Sequence, residues 1–582
     1  MMKNSSATQA QRSANPMKDR AACSRNVLCI TGTACRRAGT MLAWAAFSVL
    51  TAMGGAQAQS PLVYTTSGWV QGSAPDANSV TAFKGIPYAA SPTGPLRWRP
   101  PQAAPQWNGV RPAINYGTAC LAAPLPNPAP PSGPPQSEDC LTVNVWTPAP
   151  YDGAAKPVMV WLHGGGFQFG SSASATYNGS NLAARDVVVV SLNYRLGVFG
   201  FLAHPALDQE SGGSGAYGLQ DQLAALRWVQ QNIAKFGGDP SRVTLFGESA
   251  GAHAVGILLA SPQSRGLFSR AIAESGAFWD SEHGSLATHE EALAKGRAFV
   301  ERLSNPDIRA VPASQVNAAA SWDSVSDPGI TAFAPSVDGQ VLRDSPANVF
   351  ARGEQLNVPL LGGWNTAEYF LFQPRALPAT TPQLFDAAAE QQFGKRCSWL
   401  FELLYPTRTA EQAQASAFQL DGDLVIAEQT WEMLSLPQRP GSANVYAYRF
   451  SYTSPYVPIA SHTAEVPFVF GTLTPQRFAP GSTAPIQADR QLSDLIMAYW
   501  TNFAHRGDPN GAGLPVWPVH RTVAFPVMQL KANSEAGPDS DADRFLFIAS
   551  YRKHGRFPEA WRTLGAGHKE RYAGVGCRYE DE

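Results

Sequence analysis

The sequence predicts an α/β fold around a large, mostly parallel sheet, and two observations lead there. Runs such as "VVVVSLNYR" (187–195) are apolar or β-branched without alternation, as a strand covered on both faces requires. Strand-like runs also alternate with helical patterns, so consecutive strands are joined by crossovers and lie parallel.

The elements follow in chain order from about residue 61. "LTVNVWTP" (141–148) and "PVMVWLHGGG" (157–166) read as strands, the second running into a glycine loop. In "LQDQLAALRWVQQNIAKFGG" (219–238), Leu219, Leu223, Leu226, Val229 and Ile233 recur at helical spacing up to a Gly pair that stops the helix. "RVTLFG" (242–247) and "RAIAES" (270–275) are strands flanking another helix. Residues 280–440 are richer in helical patterns and polar loops, with isolated strands such as "VPLLGGW" (358–364), and read as an insertion or lid. "NVYAYRFSY" (444–452) returns to strand character, while 553–582 is a charged, irregular tail. No internal repeat is visible.

The first 58 residues differ from the rest. A polar, basic stretch ending at Arg36-Arg37 precedes the short apolar run "MLAWAAFSVLTAMGG", and Ala56-Gln57-Ala58 supplies a small-x-small site. That order describes a secretory signal cut after Ala58, and the expected location is periplasmic or secreted. The basic part is longer than usual, so translation starting at Met17 or Met41 is an alternative; Arg36-Arg37 lacks the context of a twin-arginine signal. The apolar run is too short and interrupted for a stable membrane span.

The whole chain carries a formal net charge of −1 with 15% charged residues, which argues against a polyanion-binding surface and hence against nucleic acid. Removing the leader's seven Lys/Arg and one Asp would leave −7. Cys120, Cys140, Cys397 and Cys577 would remain, enough for two disulfides in an oxidising compartment. Cys120–Cys140 is the expected pair because it closes a short loop containing "APLPNPAPPSGPP" (123–135); Cys397–Cys577 is the remainder.

Chemistry enters at "VTLFGESAGAHAVG" (243–256), where Ser249 stands between glycines at a strand–helix junction. A plain glycine-rich βα turn would look similar, but small neighbours are also what a nucleophile on a strained turn needs. "HGGGF" (163–167) closes another strand. Its glycines allow backbone N–H groups to approach a developing oxyanion, and the expected donors are Gly165, Gly166 and Ala250. His163 reads as a brace for that loop rather than a base.

Together "SEDCLTVNVWTP", "HGGGF", "NYRLGVFGFL", "GLQDQLAALRWVQQNIAKFGGDPSRVTLFGESAG" and "ANVYAYRF…SHTAEVPFVFG" resemble the type-B carboxylesterase family, which includes the cholinesterases. The resemblance spans about residues 61–525 and implies the α/β-hydrolase fold, with helices on both faces of the sheet and helical insertions. It implies a chain order of Ser, acid, then His. His462 in "SHTAEVPFVFG" then matches the family's base, and Glu368 in "VPLLGGWNTAEYFLF" its acid. A Glu in so apolar a stretch is costly to bury without a partner, which His462 would provide. Ser275 in "ESG" matches a supporting serine; His253 reads as a packing residue and His505 as part of a structural turn.

The expected activity is hydrolysis of a small-molecule carboxylic ester through an acyl-enzyme on Ser249, without cofactor or metal, by a monomer or weak oligomer. The segment between Cys120 and Cys140 holds no Trp, Tyr or Phe, so the cholinesterases' cation–π receptor is missing. Phe278 and Trp279 are candidates for the acyl side of the site. A specialised ester, carbonate, polyester fragment or amide fits the same mechanism. A non-catalytic binding protein on the same fold is the reading from another class.

Overall fold

The structure is a computed structural model that describes residues 60–122, 133–149, 153–277, 286–320, 333–368, 381–393, 398–436, 441–473, 482–520 and 525–552. The leader, the tail 553–582, Phe278, Trp279, Cys397 and Cys577 lie outside these residues.

Among the described residues, ten strands form the main sheet. From edge to edge it runs β1 (Val80–Pro87), β2 (Thr142–Pro148), β4 (Val188–Leu192), β3 (Lys156–Leu162), β5 (Gly238–Glu248), β6 (Arg270–Glu274), β7 (Leu360–Asn365), β8 (Val445–Phe450), β9 (Pro526–Leu530) and β10 (Glu535–Pro538). The stretch from β4 across to β9 is parallel throughout. Antiparallel pairing is confined to the edges, where β2 meets both its neighbours and β10 meets β9.

Side-chain alternation explains why the strands are apolar at every position. In β4, Val188, Val190 and Leu192 join one core while Val189 joins the other. In β5, Val243 and Leu245 face the first core and Phe246 the second. Helices α1 (Tyr217–Asn232) and α2 (Ala250–Ala260) supply the first core, with Leu219, Leu223, Leu226 and Val229 from α1. After α3 (His289–Leu303), the long helix α4 (Gln487–Arg506) covers the second with Leu492, Ile496, Trp500 and Phe503. Each such buried side chain stabilises the fold by roughly 1.5–3 kcal/mol, so both faces must be covered. The predicted helix over 219–238 is α1 followed by a 3₁₀ turn, Ile233–Phe236, stopped at Gly237 with φ 84°.

One reading is corrected. Residues 280–440 are not a continuous insertion, because β7 lies between β6 and β8 inside the sheet. Trp431, Met433 and Leu434 also belong to the first core. The strand itself was read at 358–364, but it is only six residues long and its partners are remote in sequence, so its place inside the sheet was not legible. Strand β1 went unread because Gly85 breaks its run, at a register shift between Phe83 and Ile86.

Cys120 and Cys140 are disulfide-bonded and both are buried. No helix among the described residues is long and apolar enough to cross a membrane.

Candidate active site

The carboxyl ends of β3, β5, β6 and β7 converge, and the turns that leave them carry the candidate residues. β5 ends at Glu248, and Ser249 follows with φ 55° and ψ −124°, a conformation that costs about 1–3 kcal/mol. Two backbone bonds hold it: Ser249 N–H donates to Glu274 O at 2.9 Å, and His253 N–H donates to Ser249 O at 2.8 Å. Gly251 is required by crowding, since a Cβ there would collide with Leu162 O at the end of β3. The serine is therefore fixed, half-exposed, by a turn that only small neighbours permit.

The glycine loop after β3 lies directly alongside; a Cβ on Gly164 would stand 3.0 Å from Ser249 Cβ. Gly165 has φ 111°, and a Cβ on it would strike Phe169 O. A trans peptide's C=O and N–H point opposite ways, so holding one aims the other. His163 Nδ1 lies 2.8 Å from Gly164 O, which aims the Gly165 N–H away from the ring. Gln168 and Phe169 N–H groups donate to Gly165 O at 2.9 and 3.1 Å, which likewise aims the Gly166 N–H. Ala250 opens α2, whose first N–H groups lack intrahelical acceptors. His163 is stacked on Tyr194 at 4.5 Å, and burial pushes its pKa down to about 4, so it is a neutral brace.

On the other side, the chain beyond β7 pairs with the chain beyond β8. Ala367 N–H donates to Ala460 O at 3.0 Å, and Asn365 Nδ2 donates to Ser461 O at 2.8 Å. This brings Glu368 Oε2 to 2.6 Å from His462 Nδ1, while Glu368 Oε1 accepts the Asn365 N–H at 2.6 Å. The other imidazole nitrogen, Nε2, lies 3.2 Å from Glu248 Oε1 but without hydrogen-bond alignment. No hydrogen bond joins the Ser249 hydroxyl to His462 among the described residues. The structure thus joins two of the three predicted triad members and sets Ser249 and Glu248 next to each other in the chain on the third side.

Sequence reasoning missed a group of buried glutamates. Glu248, Glu274 and Glu465 are all nearly inaccessible; Glu248 and Glu465 face the His462–Glu368 pair, and Glu274 stands behind them. Ser275 Oγ donates to Glu465 Oε1 at 3.2 Å, and Asn365 Nδ2 donates to Glu465 Oε2. Trp500 Nε1 donates to Glu274 Oε1 at 2.7 Å. Burial pushes the Glu465 carboxyl up to about 7, helped by the charge of Glu368, and Glu274 well above the carboxylate range. Burial likewise raises Glu248. Burial opposes charge on His462, yet the facing carboxylates outweigh it and shift the imidazole upward. Glu248 is one of the carboxylates whose charge raises His462, and His462 in turn partly offsets the burial that raises Glu248. The signal was present in the sequence: each of these glutamates lies in an apolar run, as Glu368 does.

Burial holds His253 neutral, with a pKa of about 3, and the backbone carbonyl of His505 accepts from Arg270.

A model of the carboxylesterase family matches residues 59–546. The chain belongs to the carboxylesterase family. Its relatives include the fumonisin B1 esterase of Sphingopyxis macrogoltabida, 36% identical over 502 residues and covering 83% of this chain and 89% of that protein. The para-nitrobenzyl esterase of Bacillus subtilis is 35% identical, covering 84% and 98%. A solved para-nitrobenzyl esterase structure superposes with a TM-score of 0.70 at 34% identity, covering 84% of this chain and 99% of that one. The fold is thus the α/β-hydrolase fold, and the enzyme is a serine hydrolase of carboxylic esters. Every part of the site described above falls inside the matched residues.

Proposed function

We propose that this esterase works through Ser249, His462 and Glu368, with the N–H groups of Gly165, Gly166 and Ala250 as the oxyanion hole. The observation that carries the reading is the 2.6 Å Glu368–His462 contact beside a serine held at φ 55°. Ser249 Oγ attacks the ester carbonyl while His462 Nε2 takes its proton. The tetrahedral oxyanion sits against the three N–H groups, and the C–O bond breaks as His462 returns the proton to the leaving alcohol. Water, deprotonated by His462, then attacks the acyl-enzyme and frees the acid and Ser249. Glu368 fixes the imidazole tautomer and stabilises the imidazolium. Hydrogen bonds between a nucleophile and its base tighten once substrate is seated, so the proposed mechanism does not require a Ser249–His462 bond beforehand.

The leader's order of basic, apolar and small residues supports export to the periplasm or beyond. The relatives named for para-nitrobenzyl esters and for fumonisin B1 support those two ester types as further probes.

Short- and medium-chain p-nitrophenyl esters, offered to the mature protein and to a folded Ser249→Ala variant, test the mechanism. We expect hydrolysis by the first and a loss of at least about 10⁴-fold in kcat by the second. Equal activity in the two would remove Ser249 from the reaction. Organophosphonate labelling located by mass spectrometry gives the same answer without turnover.

A further inference from the structure

We infer that Gln168 is a positioning residue for the oxyanion loop and that it ties this loop to the helical insertion beginning at α3; the inference rests on the oxyanion reading above. Its side chain is buried and its amide nitrogen makes two hydrogen bonds: Nε2 donates to Gly166 O at 3.2 Å and to Phe333 O at 2.8 Å.

The first bond matters because of where Gly166 stands. Gly164 and Gly165 are hemmed in, since a Cβ on either would meet Glu248 or Phe169. Gly166 is not: at φ 60° a Cβ on it would have nothing within 4 Å. Packing therefore does not hold this glycine, and an unrestrained glycine samples both signs of φ freely. Hydrogen bonds hold it instead: Gln168 supplies one on each side, and the Phe169 N–H adds a second on Gly165 O at 3.1 Å. The peptide before Gly166 is held by the Gln168 main-chain N–H on Gly165 O, at 2.9 Å. The peptide after Gly166 is held by the Gln168 side chain on Gly166 O. With both flanking planes fixed, φ and ψ of Gly166 are fixed, and so is the direction of its N–H.

The second bond gives the clamp its reach. Phe333 is 165 residues away in sequence, and its ring packs edge-on against Phe299 of α3 at 5.1 Å, with Lys295 Nζ 5.1 Å from its centroid. A shift of α3 therefore reaches Gly166 through one carboxamide. An ester that presses on the insertion would adjust an oxyanion donor, so the clamp connects substrate fit to transition-state stabilisation. Such a term appears in kcat more than in KM.

The test uses Gln168→Met, which keeps the length and removes the donor, and Gln168→Glu, which can only accept while ionised. With p-nitrophenyl acetate and full-length mature enzyme, we expect Gln168→Met to lower kcat roughly tenfold, short of the 10²–10³-fold cost of deleting an oxyanion donor, with KM within about twofold. Gln168→Glu should lower kcat further. Phe299→Leu should reduce kcat in the wild-type background and add little to Gln168→Met, because both loosen the same link. A Met variant with unchanged kcat overturns the clamp while leaving Ser249 chemistry standing. Hydrogen exchange of the 164–169 peptide reads the clamp without turnover. Faster exchange in the Met variant supports it and an unchanged rate overturns it, even if no ester is hydrolysed.

Discussion

The two halves of this site are held by different physics. The half that carries Ser249, Gly165, Gly166 and Ala250 is fixed by backbone: a strained serine, glycines at close approaches, and peptide planes held by hydrogen bonds. None of its working groups titrates near neutrality. The half that carries His462 is fixed by charge, with Glu368 at 2.6 Å, Glu248 at 3.2 Å, Glu465 also facing it and Glu274 behind them. Steric restraint is indifferent to pH, whereas three buried carboxyls facing one imidazole, with a fourth behind them, are not. The difference teaches that damage to the first half should cost rate at every pH, and damage to the second should also move the pH profile.

The largest effect that separates the halves is expected at Glu368. Glu368→Gln keeps the shape and removes the charge, so His462 loses both the support for its cationic form and the preference for the productive tautomer. We expect kcat to fall by about 10⁴ with KM little changed, measured on p-nitrophenyl butyrate. A fall of less than tenfold would pass the orienting role to Glu248 and erase the asymmetry between the two carboxylates.

A smaller effect tests the pairing of Glu248 with His462. In the proposed mechanism His462 must be neutral to accept the Ser249 proton, so kcat/KM should be low at acid pH and rise as pH climbs through the pKa of the imidazole. Because the pKa is raised, the midpoint should lie above 6.5, the ordinary imidazole value. Glu248→Gln removes one facing carboxylate and should draw that midpoint down by about one unit, with only a few-fold change in the plateau. Titration of kcat/KM from pH 5 to 10 gives the answer. A midpoint that stays put would mean that Glu368 alone sets the imidazole.

How far the sequence could be read follows the same division. The backbone-built half was legible because its requirements are local: glycine where backbones meet, small residues around Ser249, apolar runs for doubly covered strands. His462 and Glu368 were reached only through the family pattern, since 94 residues separate them and no local spacing brings them together. The glutamates behind them were each visible, but not their meeting. Glu248 and Glu274 end adjacent strands β5 and β6, and Glu465 arrives after β8, so their proximity is a consequence of sheet order. The same non-locality left β7, read as an isolated strand, without its place in the sheet and hid the Gln168–Phe333 link altogether.

The smallest expected effect lies deepest, at Glu274. Its Oε1 accepts from Trp500 Nε1, Oε2 has no hydrogen bond, and burial followed by repulsion from Glu465 holds its pKa well above 4.5. The folded protein therefore keeps a proton that the unfolded chain releases once pH exceeds about 4.5. Where the native state binds more protons, stability falls as pH rises, and it keeps falling until pH passes the folded pKa. Glu274→Gln retains the acceptor for Trp500 and cannot ionise, so it should lose less stability between pH 5 and pH 8.5 than the wild type. On the order of 1–3 °C in apparent Tm at pH 8.5, shrinking towards pH 5, is the size expected. The charge-built half then carries a stability cost at alkaline pH that the backbone-built half does not share. Parallel Tm–pH curves for the two proteins would show instead that Glu274 is neutralised by a partner in both states, and that the contrast stops at His462.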